Sequence, residues 1–323
     1  MTKNQKTIII IIVVLFTSLF LTTQKGDSSD LPPAIGDPLE LILVKDLKSF
    51  DEPFFKTLKQ LLTTTIGPSP QAENTLNISE VNSSGFKGVL KRHQNILITS
   101  KSEQFSISFQ RNLFALDQVV FFIQSPSNEQ LLNNKSQIIS LVKQIKNIEI
   151  NRLSSKFTAY SNQEIEKRIQ ETHKISLKIP KDFFFAHSDS TVTWVRRETP
   201  KLSQGILVVS SEKKHHPGST DLIIEYVDSI VGSHISGPVK NSYMTHEKYA
   251  PIKTEEIKIA EFTALKIQSL WKMENDFMGG VFNIYYFYLE KDPVLIYTYL
   301  YAPGERKNLP LLQLEAAVNT IIF

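Results

Sequence analysis

Cysteine is absent from the 323 residues. That absence excludes disulfides, thiolate catalysis, cysteine-based zinc sites and the acylated cysteine that holds bacterial lipoproteins to a membrane. An excess of one charge is lacking too. The 36 Lys and Arg against 33 Asp and Glu leave a formal +3, too small and too evenly spread to address a polyanion, so nucleic acid is not expected as a partner. The seven histidines are scattered, and only His215-His216 are adjacent, in the loop SEKKHHPGST. No carboxylate or third histidine stands at ligand spacing from that pair, so neither a metal nor a cofactor is expected. There is no phosphate-cradling loop and no G-x-S-x-G elbow. Ser242 and His246 lie four residues apart in SGPVKNSYMTHE, but nothing fixes their geometry or supplies an orienting carboxylate. No catalytic residue is assigned, and this segment reads as a polar loop at a sheet edge.

What is present begins at the N-terminus, where Lys3 and Lys6 precede an apolar run from Ile8 to Phe16 that continues to Leu21. A helix over residues 7–23 would reach ~25 Å, short of a ~30 Å hydrocarbon core but within what local thinning absorbs. Residues 1–25 therefore read as an export signal, either an uncleaved membrane anchor or a cleaved signal peptide. The run ends SLFLTTQKG rather than in small residues, which favours the anchor. Lysines before it and Asp27 and Asp30 after it place the N-terminus in the cytoplasm and the body in the periplasm. An uncleaved helix favours the inner membrane. Residues 26–38, rich in Gly, Ser, Asp and Pro, read as a flexible tether.

Beyond the tether, 41% hydrophobic and 10% aromatic residues are ample for a core. The pattern predicts an α+β protein of two halves, 39–157 and 158–323, each an antiparallel sheet covered by helices. In the first half, Leu39 to Val44 reads as a strand and Asp51 caps a helix with Phe54, Phe55, Leu58, Leu61 and Leu62 on one side. TLNISEV, NILITS, FSISF and QVVFFIQ then read as strands. A long helix starts at Ser127, with Leu131, Leu132, Ile138, Ile139, Val142 and Ile145 along one side, and residues 151–173 read as a polar connector. In the second half, ISLKIP, DFFFA, TVTWVRRE and GILVVSSE read as strands, followed by a helix from Thr220 ending near Gly232. EEIKIAE, FTALKIQSLW, VFNIYYFYLE and VLIYTYLY follow, their near-continuous apolar character predicting a sheet covered on both faces. A last helix starts near Pro310.

The most distinctive stretch is FTALKIQSLWKMENDFMGGVF, a predicted hairpin. Trp271, Met273, Phe277, Met278 and Phe282, with Tyr243 of the earlier segment SGPVKNSYMTHE, are the candidate binding residues, because aromatic and Met side chains offer large adaptable surfaces. The same residues also suit a filled core. Gly279 and Gly280 serve a tight turn or a close backbone approach. Trp194 and Arg196 share one face of their strand, which suits a cation or a stacked sugar as well as an ordinary half-covered strand.

The element order of the second half resembles the layered arrangement of PsbP and Mog1-like proteins. RHQNILIT, ALDQVV, TWVRRETPKLSQGILV, SGPVKNSYMT, SLWKMENDFMGGVF and YLYAPGERKNLPLLQLEA, in that order, resemble the domain of unknown function 4837 family over nearly the whole chain after the tether. These are envelope proteins of the Bacteroidetes type, usually lipoproteins. The resemblance implies an exported, membrane-tethered protein with no catalytic residues to carry over. The family's lipidated cysteine is missing here, and Val281 stands where the family pattern has proline. Three functions fit: a non-enzymatic component docking an envelope protein partner, a carrier or sensor of a small apolar or glycan ligand, and, least supported, a hydrolase using Ser242 and His246.

Overall fold

The computed structural model of the protein describes residues 30–210, 219–289 and 293–323. The expected anchor and the His215-His216 pair lie outside the described residues. Among the described residues no helix is long and apolar enough to cross a membrane.

Two sheets and their helices make an α+β fold. The first comprises β1 (Glu40–Lys45), β2 (Asn77–Asn82), β3 (Asn95–Lys101), β4 (Ser106–Arg111) and β5 (Val119–Ser125), in the order β2-β1-β3-β5-β4. It is mixed, not antiparallel as the sequence suggested: β1 runs parallel to β2 and β3, β3 runs parallel to β5, and β4 alone is antiparallel to its neighbour. The cause is the crossover through helix α1 (Glu52–Leu62), which returns the chain to run in the same direction again.

Helix α1 starts as predicted, with the Asp51 side chain accepting the Phe54 N–H at 3.1 Å and Phe54, Phe55, Leu58 and Leu62 buried. The predicted single long helix is two, α2 (Asn128–Asn133) and α3 (Lys135–Ala159). At Asn134 the side chain turns back to the Gln130 carbonyl (2.8 Å), and the break shifts the helical phase. Leu132 and Ile139, expected inside, are consequently exposed. The expected connector is also ordered. Helix α3 runs on to Ala159, and α4 (Gln163–His173) is capped by Asn162, which accepts the Ile165 N–H at 3.3 Å. Residues 33–36 of the expected tether pair with the first half, Ala34 donating to Leu116 and Ile35 to Arg92, both at 2.9 Å.

The second sheet is antiparallel, as expected, and has eight strands: β6 (Phe184–Ser188), β7 (Val192–Glu198), β8 (Ser203–Ser210), β9 (Tyr243–His246), β10 (Lys253–Ile259), β11 (Phe262–Glu274), β12 (Gly279–Phe287) and β13 (Val294–Tyr301). Their order is β10-β11-β12-β13-β8-β7-β6, with β9 pairing beside β10 on the outer edge of β11. ISLKIP is no strand; it makes only single bridges, Ser176 to Ile322 and Pro180 to Ser161. Conversely, the polar loop expected around Tyr243 contains β9.

Both faces of this sheet are covered, as its apolar runs predicted. On one, α4 and α6 (Asn308–Val318) pack over Val195, Ile206, Tyr285 and Ile296. On the other, α5 (Thr220–His234) packs over Leu207, Ile267, Phe282 and Tyr297. Helix α5 continues past Gly232 to His234, with Leu222 exposed. Helix α6 joins the halves, since Leu311, Leu314 and Val318 enter the second core while Leu312 and Ala316 enter the first. A helix so largely apolar is buried on nearly every side, and its one buried carboxylate, Glu315, is paired with lysines of both halves.

Candidate functional site

A cleft of about 490 Å³ opens on the α5 face of the second sheet. The β7–β8 hairpin borders it on one side and residues Ile235 to Pro238, after α5, border it on the other. Trp194, Trp271, Tyr299 and Tyr301 line it together with Met244, Met273 and Met278. The chain has two tryptophans and four methionines, so both tryptophans and every methionine except Met1 converge here.

Two glycines set the aromatic walls. Gly280 pairs with Trp271 across the β11–β12 ladder, and a Cβ there would run into the Leu300 carbonyl oxygen and come within 2.9 Å of Trp271 Nε1. Without it, the indole reaches over β12 and donates to that carbonyl at 3.3 Å. Gly205, opposite Tyr299 in the ladder, gives up its side-chain space to the Tyr299 ring. The glycine pair therefore serves close approach rather than the turn, for Gly279 and Gly280 open β12 while Asn275 takes the positive φ of 62° in the loop before it.

The cleft also carries charge and unsatisfied polarity. The Arg196 guanidinium lies 5.7 Å from the Trp194 ring centroid and 5.3 Å from that of Phe184, in the range of cation–π attraction, and pairs with Glu198 at 3.7 Å. The Trp194 indole donor faces the Tyr299 hydroxyl, whereas the buried Arg196 Nε has only the Glu198 carboxylate, at 3.7 Å, and no acceptor within hydrogen-bond distance, a condition that native structures seldom leave uncompensated. Burial pushes the Tyr299 phenol up to about 12, with the neighbouring Trp194 acting the other way; it is a neutral group at physiological pH.

Of the residues expected from the sequence, Trp271, Met273 and Met278 line the cleft. Phe282 is buried on the same face and stacks on Tyr297 at 5.3 Å, outside the cleft lining. Phe277 is fully exposed at the hairpin tip, and Tyr243, half exposed, sits opposite Glu274 on the sheet edge. The expected set thus divides into a cleft wall and an exposed tip. Tyr299, Tyr301 and Met244 were missed. Their signal was the i, i+2 repeat of Tyr297, Tyr299 and Tyr301, which places all three on the Trp271 face.

Ser242 and His246 are not brought together. Ser242 donates to the Val239 carbonyl at 2.6 Å, whereas the His246 ring meets the buried Ser269 hydroxyl at 3.1 Å. Asp228, its carboxyl pushed up mainly by burial, accepts the His246 backbone N–H at 2.8 Å and so ties α5 to β9. Burial pushes the His246 imidazole down.

A larger cleft, about 660 Å³, separates the halves. Its charges are already paired: Glu315 binds Lys146 at 2.8 Å and Lys266 at 3.0 Å at its floor, and Lys143 binds Glu255 at 3.2 Å nearer the surface. The smaller cleft, where both tryptophans converge and Arg196 Nε lacks an acceptor within hydrogen-bond distance, is the better candidate.

Comparison with known families divides the chain where α3 gives way to α4. Residues 162–320 match the family model described as a domain of unknown function, DUF4837, and residues 34–158 match a second, DUF8532. A search of the curated proteins found no match. The likeness to DUF4837 is therefore confined to the second half, and RHQNILIT and ALDQVV belong to the first match. Both aromatic walls of the cleft fall within the second. The chain carries a DUF8532 domain at 34–158 followed by a DUF4837 domain at 162–320, and neither family comes with a known function.

Proposed function

We propose that the protein is a non-enzymatic binding module of the cell envelope, a carrier or sensor that holds a small amphipathic or glycan ligand in the Trp194–Trp271 cleft. The observation that carries this reading is the convergence of both tryptophans and of Met244, Met273 and Met278 on one cleft. A binding site of this size is typically apolar with a few placed polar groups, and flat aromatic walls suit the face of a sugar or ring. Arg196 Nε, which lacks an acceptor within hydrogen-bond distance, suits a ligand that brings an oxygen acceptor. The apolar run from Ile8 to Phe16 supports export and tethering to the inner membrane, with the body in the periplasm.

Docking of an envelope protein partner is favoured by one observation, the full exposure of Phe277 at the β11–β12 tip. Native mass spectrometry of the full chain, extracted gently from its own envelope, separates the two. An added mass of a few hundred daltons, lost in Tyr301→Ala, supports the carrier. A stoichiometric second protein, lost in Phe277→Ser, supports docking and overturns the carrier as the principal role.

A further inference from the structure

Three groups from two separate parts of the chain meet beside the cleft's sheet: His187 on β6 and Asp189 in the β6–β7 turn, and His234, the last residue of α5. One ligand atom from each lies within 4.8 Å of the others. The fold supplies a specific reason for each position. The pairing register of β6 on β7 shifts between Phe185 and His187, and this irregularity puts His187 opposite Trp194, on the face that α5 covers. Bulges of this kind re-aim a side chain. Asp189 closes the turn with one carboxylate oxygen only: Oδ1 accepts the Thr191 N–H at 2.7 Å, the Thr191 hydroxyl at 3.0 Å and the Val192 N–H at 2.8 Å. Oδ2 is left for the histidines, 2.9 Å from His187 Nε2 and 3.8 Å from His234 Nε2.

The tautomer of His234 is set by its other nitrogen. Nδ1 lies 2.8 Å from the Ile230 carbonyl oxygen and 2.9 Å from the Ser233 hydroxyl; that hydroxyl donates to the same carbonyl, and the carbonyl cannot donate, so Nδ1 carries the hydrogen. In the neutral ring, Nε2 then presents a lone pair to Asp189 Oδ2. Two acceptors face each other with no hydrogen between them, an arrangement that a cation resolves. An imidazole whose far nitrogen donates to a backbone carbonyl is the usual form of a metal-bound histidine. The ring centroids of His187 and His234 are 4.8 Å apart with 62° between their planes, so the two imidazoles lie side by side next to Asp189.

We propose that His187, Asp189 and His234 form a binding site for a divalent transition-metal ion such as zinc, with two imidazole nitrogens and one carboxylate oxygen as ligands and water in the remaining positions. Two histidines and a carboxylate are a donor set that zinc, manganese and iron(II) accept. All three residues are partly exposed, at 41%, 41% and 21% of their side-chain surface, so an ion has access from solvent. Linear spacing hid the site, because His187 and Asp189 are two residues apart and His234 joins them only through the packing of α5 on β7.

The test is calorimetric titration of the full chain in detergent with Zn²⁺, repeated with Co²⁺ to read its visible absorption. The expected result is saturable binding of one ion per chain, weakened at least tenfold in His187→Gln, in His234→Ala and in Asp189→Asn. The last variant keeps an oxygen for the turn, and circular dichroism identifies any variant that fails to fold. His215→Ala/His216→Ala should bind as the wild type does. Absence of saturable binding, binding that survives His187→Gln, or binding lost in the His215/His216 variant would each overturn the proposal.

Discussion

Replacing Glu315 with Gln should cost about 3 to 4.5 kcal/mol, because it strands a buried ammonium. Glu315 on α6 is nearly fully buried and holds Lys146 of α3 at 2.8 Å and Lys266 of β11 at 3.0 Å. Burial opposes both charged forms. For Glu315 the two lysines outweigh it and hold the carboxyl down to about 2. Lys266 shares that one carboxylate, so burial prevails and its ammonium is pushed below the ordinary lysine value. In Glu315→Gln, Lys146 can turn toward solvent, having 27% of its side chain exposed, but Lys266 with 12% cannot. The upper bound is set by Lys266 giving up its proton, which for an ordinary lysine at pH 7 costs about 4.6 kcal/mol. The Tyr285 ring, whose centroid lies 5.6 Å from Lys266 Nζ, accompanies the ammonium in both proteins and so does not alter the difference. Removing the stranded charge as well, in Glu315→Gln/Lys266→Met, should restore at least about 2 kcal/mol. Urea unfolding midpoints of the wild type, the two single variants and the double variant provide the assay. A Glu315→Gln loss below about 1 kcal/mol, or a double variant no more stable than that single one, would refute the reasoning.

Gly280→Ala should destabilise by about 3 kcal/mol, since the new methyl meets the β13 backbone rather than a movable side chain; a melting temperature within one degree of wild type would contradict the packing described. His173 on α4, its ring between Ser210 at 2.7 Å and Thr193 at 2.8 Å, is pushed down to about 4, by burial above all. The unfolded chain takes that proton near pH 6.5 while the folded one does not until about pH 4. Stability therefore rises with pH across this window, by about 3 kcal/mol, and His173→Gln should flatten the rise in urea midpoints between pH 4.5 and 7.

Strand positions and the Asp51 cap were legible because alternation and capping are local. Strand direction was harder to read. The continuous apolar runs Leu41 to Val44 and Val119 to Ile123 are the mark of a parallel, doubly covered sheet, yet pairing order is decided by the α1 crossover. Leu132 and Ile139 fit one helical stripe only until Asn134 breaks the phase. At the site, Trp271 and Met273 could be named from composition. Trp194 lies 77 residues before Trp271 in the chain, and nothing short of the β7-β8-β13-β12-β11 order shows that they share a wall. The pairing of His187 on β6 with His234 at the end of α5 was hidden for the same reason.

Both tryptophans line the proposed ligand cleft, so the intrinsic tryptophan fluorescence of the protein reports on that cleft alone. Titration of the full chain in detergent with oligosaccharides and with small amphiphiles, followed by this emission, is the most direct measurement. The account predicts a saturable shift in emission with at least one of these classes, and a midpoint at least tenfold higher in Tyr301→Ala, a variant that removes a partly exposed wall and leaves the core intact. Emission unmoved by every member of both classes, or a midpoint indifferent to Tyr301→Ala, would contradict it.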